Sequence, residues 1–259
     1  MSLARQALRL CTVRALRGHT SAGDRVRDSE QGPVEDYVKD KTQPHVLVYT
    51  DDGVFGAKPR DLFDGGSQDL VIEIVMTQRM VAKFDNGEDG ETIDMPQTDA
   101  AMEFSIDAIA RQVRVALMRP ADPWAEMWRR FALSITQGTD KRGSSMREGV
   151  RFAGRQMLLT VELPRDPVPG QPLGPLWADF LALVEGTADL APIAPVMRAL
   201  IEGDDVDLPD WQILRAGYGM TLAEARALQV TPPAAAEASS PDFEGVTPDT
   251  HPSPPGTLP

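Results

Sequence analysis

The stretch that most restricts the fold lies between Thr98 and Ile135, where two amphipathic periods meet at Arg119-Pro120-Ala121-Asp122-Pro123. Met102, Ile106, Ile109, Val113 and Leu117 follow one another at spacings of four, three, four and four. That stripe falls on one side of a helix with 3.6 residues per turn. Thr98 or Asp99 can cap it, and Glu103, Asp107, Arg111 and Arg114 take the opposite side, with Asp107 and Arg111 at ion-pair spacing. Pro120 ends the helix, because its ring removes a backbone donor and clashes with the preceding turn. Asp122 then caps, and Pro123 begins, a second helix with Trp124, Trp128, Phe131 and Ile135 on one face. An aromatic stripe at helical spacing belongs to a packed core far more often than to a cofactor box.

The surface on which this pair would lie comes from strands. Leu70, Ile72, Ile74 and Met76 alternate with Val71, Glu73, Val75 and Thr77, and Met157, Leu159, Val161 and Leu163 alternate with Gln156, Leu158, Thr160 and Glu162 before Pro164 closes the run. Val46 to Thr50 is β-branched and aromatic enough for a third strand. Upstream, Leu3, Ala4, Ala7, Leu8, Cys11 and Ala15 recur at spacings of three and four, which predicts a helix over residues 2–17 with a narrow apolar face, Arg5 and Arg9 opposite it, and Gly18 as its left-handed stop.

The order helix, strand, strand, helix, helix, strand within residues 1–165 predicts an α+β core. Its sheet is mixed and mainly antiparallel, packed by the N-terminal helix and the long central helix pair. Between the elements, His19 to Gln43 reads as a long ordered loop or an arm, with little periodicity beyond Val26, Val34 and Tyr37. Structureless loops of that length are usually functional or bound by a partner. Asp51 to Gly66 is a polar connection, Asp85 to Glu91 is an acidic loop with turn signals at Asn86-Gly87 and Asp89-Gly90, and Gly138 to Gly149 is a polar, flexible, locally basic connection.

Five prolines between residues 164 and 175 mark a linker. Short helical pieces follow around Leu176–Val184, Ile193–Ile201 and Leu208–Leu214, and a last one begins with the capping box of Thr221 and Glu224. From Thr231 onward prolines, alanines, serines and acids replace hydrophobic residues. The expected organisation is a core at 1–165, a Pro-rich linker and short-helix extension at 166–230, and a disordered acidic tail at 231–259.

Composition removes several function classes. No run approaches the roughly 20 apolar residues that span a bilayer, so no membrane partner is expected. The arginine-bearing N-terminus lacks the continuous apolar centre of a secretory signal. Cys11 is the only cysteine, which excludes an internal disulfide and fits a reducing compartment. A net charge of −13 argues against wrapping duplex DNA by phosphate neutralisation. Eight acids and no base lie between Phe84 and Ala110, whereas six arginines lie in the first 27 residues, either as solvated surfaces or as surfaces that meet a like subunit or repel a polyanion.

The three histidines, His19, His45 and His251, form no metal-ligand spacing with each other or with Cys11. Asp64-Gly65-Gly66 lacks the lysine and hydroxyl residue of a phosphate loop. Asp51, Asp52, Asp69 and Glu73 can be drawn as the carboxylates of a metal-dependent nuclease, but Val75 occupies the position where a lysine is wanted, and solvated strand ends explain these acids better. The residues therefore point to no catalytic group, no metal and no cofactor.

Seven pieces in order carry a resemblance over roughly residues 2–165. They are the N-terminal helix, the Thr20–Asp28 turn with Ala22, Gly23, Arg25 and Val26, the strand ending in Tyr49-Thr50, the strand Leu70–Thr77, the helix at 98–118, Asp122-Pro123 with the helix it starts, and the strand Gln156–Leu163. Together they resemble the tail terminator (tail completion) proteins of long-tailed bacteriophages. The resemblance implies a non-catalytic virion protein, assembled in the host cytoplasm and resident in the tail or neck. Such a protein forms a ring, a hexamer in the family, that stops tail-tube polymerisation and meets a head-tail connector or stopper protein, with DNA only as passing cargo. On that model Arg5, Arg9, Thr20, Gly23, Arg25, Asp28 and Tyr37 are subunit-contact candidates, and Asp85, Glu88, Asp89 and Glu91 would face the lumen or tube. Residues 166–259 have no counterpart in the resemblance, which leaves another neck protein, such as a head completion or stopper protein, as the alternative; a nuclease is the remote one.

Overall fold

The computed structural model describes residues 2–29, 43–54, 60–79, 99–147, 150–203 and 208–232. Tyr37, the acidic loop with Asp85, Glu88, Asp89 and Glu91, and the tail beyond residue 232 lie outside the described residues. The elements run α1 (Leu3–Leu16), β1 (Val26–Asp28), β2 (His45–Val54), β3 (Ser67–Arg79), α2 (Asp99–Leu117), α3 (Pro123–Phe131), β4 (Ser134–Arg147), β5 (Val150–Glu162), α4 (Pro175–Glu185), α5 (Ala194–Glu202), α6 (Asp210–Gly217) and α7 (Leu222–Ala227). The chain divides into two compact units, Met1–Met220 and Thr221–Pro259. In the second, α7 begins with the expected capping box: Thr221 Oγ1 accepts from the Glu224 N–H, and the Glu224 carboxylate accepts from the Thr221 N–H.

The first unit is an α+β fold built on one five-stranded sheet in the order β1-β2-β3-β5-β4. β1 runs parallel to β2 and every other pair is antiparallel, so the sheet is mixed and mainly antiparallel as expected. Val46 and Val48 of β2, Leu70, Ile72, Ile74 and Met76 of β3, and Met157 and Val161 of β5 point to one face and join the core with α1, α2 and α3. Asp122 caps α3 by accepting from the N–H groups of Trp124 and Ala125, and Pro123 follows as its first residue. α3 ends at Phe131, so Ile135 leaves the aromatic stripe and becomes part of β4.

Two expected connections contain strands. Of the expected arm at His19–Gln43, residues 30–42 lie outside the described residues, and the part next to Gly18 turns back: the Gly23 N–H donates to Thr20 O, the Gly18 N–H donates to Gly23 O, and β1 then joins the sheet with Ala22 and Val26 buried. Gly23 holds φ at +56°, a conformation that carries no steric penalty only without a Cβ. The supposed flexible segment at Gly138–Gly149 is largely β4, paired with β5 from Ser134 to Arg147. It lacks an apolar alternation because it is exposed on both faces over most of its described side chains, and backbone pairing with β5 holds it in place.

α1 is wider in its burial than its sequence period implies, with Ala4, Ala7, Leu8, Leu10, Cys11, Thr12, Val13, Ala15 and Leu16 all buried. Its N-terminus is closed from far along the chain. The Asp166 carboxylate accepts from the Leu3 N–H at 2.9 Å, the Ala4 N–H at 2.7 Å and the Ser2 hydroxyl at 3.0 Å. A carboxylate there satisfies orphan donors and meets the positive end of the helix dipole.

The neighbouring Arg165 holds a second late element. Its guanidinium reaches both oxygens of Asp61 at 3.2 Å, donates to Gly217 O of α6 at 2.7 Å and lies 4.4 Å from the Tyr218 ring centroid. Gly65 lets this segment close up, since a Cβ there would sit 2.1 Å from Pro164 O. α4 and α5 extend the same core through Trp177, Phe180, Leu181, Val184, Met197 and Ile201. Phe131, Trp177 and Phe180 form an edge-to-face triad with ring centroids 5.1 to 6.0 Å apart.

Asp166→Ala is expected to cost about 1–3 kcal/mol, through the lost cap and its buried donors. Urea denaturation checks this; a midpoint equal to wild type at unchanged slope would contradict the role given to Asp166.

Candidate functional site

The first group to place is the set of subunit-contact candidates on α1 and the turn after it. Arg5 Nε donates to Thr50 Oγ1 at 2.6 Å and its terminal nitrogen donates to Thr50 O at 3.0 Å. Arg9 pairs with Asp28 of β1 at 2.5 Å, and Arg25 donates to Pro44 O and Ser21 O. Thr20 is buried and Gly23 shapes the turn. Farther along α1, Arg14 reaches Asp189 at 2.6 Å, and its guanidinium holds that exposed carboxyl below the usual carboxylate range. Arg5, Arg9 and Arg14 therefore fasten α1 to the rest of the chain, and Arg25 ties the turn after it to the segment before β2. The long apolar stems and delocalised charge of arginine suit such half-buried ties.

The second group is the set of carboxylates considered for metal chemistry. Asp51 and Asp52 are exposed where β2 bulges between Thr50 and Gly53, and their main-chain carbonyls are bound by Gln68 Nε2 at 2.9 and 2.7 Å. Asp69 accepts from Thr160 Oγ1 at 2.6 Å. Glu73 lies on the same face of β3, four residues on, or roughly 13 Å at about 3.3 Å per residue. That separation is several times a metal–oxygen bond, so one ion cannot join the two. Val75 is buried opposite His45 and Gly154. Among the described residues no three of His, Cys, Asp and Glu are grouped as a metal ion would need.

Glu73 does belong to a polar cluster that periodicity alone did not reveal. On the sheet face away from α1 and α2, the Tyr49 hydroxyl lies 3.5 Å from Glu73 Oε2 and accepts from Gln156 Nε2 at 3.1 Å. Burial raises the Glu73 carboxyl above its ordinary range, only partly offset by Tyr49, while burial and the nearby Glu73 charge raise the Tyr49 phenol. Register would have exposed the cluster, since Glu73 and Gln156 face each other directly, but pairing partners are not visible in a single strand. The arrangement satisfies polar groups across three strands.

The remaining candidates are surfaces. Ser134 to Gly143 of β4, Thr139 excepted, are exposed, and among the described residues β4 pairs only with β5. Lys141 and Arg142 lie on it, with Arg142 at 3.0 Å from Glu103 of α2. At the other end of the sheet Asp24, Asp28, Asp51 and Asp52 are exposed. A separate apolar pocket of about 290 Å³ lies among Phe63, Val168, Pro169, Leu208 and Ile213, beside the Arg165 ties. Among the described residues no helix is long and apolar enough to cross a membrane. No protein-family model matches the chain, and no curated protein sequence matches it.

Two outcomes follow from the buried groups. A carboxyl whose proton affinity is raised by folding contributes stability that is fully present below the unfolded pKa and lost as pH rises through the folded one. Glu73→Gln should therefore exceed wild type in melting temperature near neutral pH and converge with it below about pH 4. A gap that widens toward acid would contradict this. Cys11 is fully buried, which pushes its thiol well above the ordinary value. A thiol-specific reagent should label the native chain only through unfolding, and rapid native labelling would contradict its place in the core.

Proposed function

We propose that the chain is a structural protein of a long-tailed bacteriophage that forms a ring on the end of the tail tube, stops tube polymerisation and joins the tail to the head-side connector. The observation that carries this reading is the N-terminal unit. The helix, the Gly18–Gly23 turn and the strand after it, which hold much of the family resemblance, are fastened as one piece to the sheet by Arg5, Arg9 and Asp166. The rest of the resembling order, antiparallel strands and then a helix pair, packs with that same sheet.

A second support is the asymmetry of the sheet. Its two ends differ, a short parallel strand at one and a long exposed strand at the other. A ring requires heterologous contacts, in which one surface of a subunit meets a different surface of the next. The proposed partners are therefore further copies of the chain, the tail tube protein, and a connector or stopper protein. DNA passes through the ring as cargo, and a net charge of −13 disfavours adhesion of phosphates in transit. The reading places the protein in the virion, after assembly in the host cytoplasm.

Tails assembled in the absence of this protein should vary in length and fail to join heads, with both defects repaired by adding the purified chain. Electron microscopy of the tails measures both. Tails of uniform length that still attach to heads would overturn the reading.

A further inference from the structure

The exposed strand at the end of the sheet is unusual in length and in charge. β4 is a 14-residue strand, roughly 45 Å at about 3.3 Å per residue, with one edge unpaired among the described residues. An unpaired edge of that length is a template for another chain unless something blunts it. Proline is absent from β4 and the only register irregularity lies at its start, between Ile135 and Gln137, so Lys141 and Arg142 are the residues that keep indiscriminate strands off this edge. From Gln137 onward the ladder with β5 is regular.

Its charge runs against that of the whole chain. In a protein of net charge −13, the described side chains of β4 include Lys141 and Arg142, the latter paired with Glu103 of α2, against the single acid Asp140, which Arg114 of α2 already pairs. The sheet's other end has the opposite sign. Asp24 precedes β1, and Asp51 and Asp52 lie on β2 just past the end of β1, all exposed, whereas Asp28 at the end of β1 is paired with Arg9 and the half-buried Arg25 and Arg27 lie between Asp24 and Asp28. The basic edge and the acidic end are on different strands at opposite sides of one sheet, so a subunit cannot bring its own two surfaces together, whereas two subunits can.

We propose that the occupant of the β4 edge is a second copy of this chain, which presents its acidic β1–β2 end to Lys141 and its neighbours. The inference rests on the ring reading above and assigns the two surfaces that meet. The contact is heterologous, because the basic strand of each subunit meets the acidic end of the next, and repetition of such a contact closes a ring when the rotation per subunit allows it. Opposite charges across the contact favour this register and penalise edge-to-edge pairing of two β4 strands, which would place Lys141 and Arg142 against their own kind.

Two variants of the full chain test it. One carries Gln137→Glu with Lys141→Glu, which makes the β4 edge acidic; the other carries Asp51→Lys with Asp52→Lys, which makes the opposite end basic. All four positions are exposed, and circular dichroism verifies folding. Native mass spectrometry and light scattering at low ionic strength read the assembly. Wild type should form rings; each variant alone should need at least about tenfold more protein to assemble, because like charges then meet at every contact. An equimolar mixture should recover rings containing the two variants in equal number, since each supplies the charge that the other needs. Variants that assemble alone as well as wild type would overturn the assignment of surfaces and leave the ring reading standing. Variants that fail alone and also fail when mixed would overturn the pairing of these two surfaces. A wild type that stays monomeric at every concentration would overturn the ring reading itself, and the inference with it.

Discussion

Much of this fold depends on one helix being held at both of its ends by residues distant in the chain. α1 is buried on nearly every side, so its free N–H groups cannot turn to water and must be met by protein. Asp166 meets them from just past the last strand of the sheet, while Arg5, Arg9 and Arg14 reach to β2, β1 and the segment after α4. The first sixteen residues thus reach their final place only when residues near 166 and 189 are in theirs. Contacts of such sequence separation carry a large loop-closure entropy, which argues for α1 docking late onto a sheet already formed.

The same arrangement decides which surfaces are left for partners. The N-terminal arginines, which on sequence alone look like a basic outer face, are turned inward by the need to fasten α1. Positive charge then reaches the described surface of the sheet chiefly along β4, while the acids at the β1–β2 end stay exposed. An acidic chain with one basic edge has a strong reason to meet another copy of itself in one orientation. That is the geometric requirement of the proposed ring.

The legible parts of the fold were those in which side chains alone decide the structure. Pro120, Asp122 and Pro123 set the helix boundaries, the alternation at Leu70–Thr77 and Gln156–Leu163 set two inner strands, and Thr221 with Glu224 set the start of α7. β1 and β4 were not legible because pairing with a neighbour decides them. β1 is three residues long with one apolar side chain, and β4 is exposed on both faces over most of its described side chains and so shows no alternation. The breadth of burial around α1 escaped for a related reason: alanines and a threonine are compatible with a solvated helix side until packing closes on it. Of the polar groups, Asp166 gave no local sign of capping a helix more than 160 residues away. The Tyr49, Glu73 and Gln156 cluster needs the register of three strands before it appears.

The most direct test of a self-assembling subunit with a pre-built core is amide hydrogen exchange on the full chain, compared between assembled particles and subunits dissociated by dilution. The account expects the amides of α1 to be protected in both states, and those of Gln137–Gly143 on β4 to exchange rapidly in free subunits and slowly in the ring. Rapid exchange along β4 in the assembled particle, or an α1 that gains protection only on assembly, would contradict it.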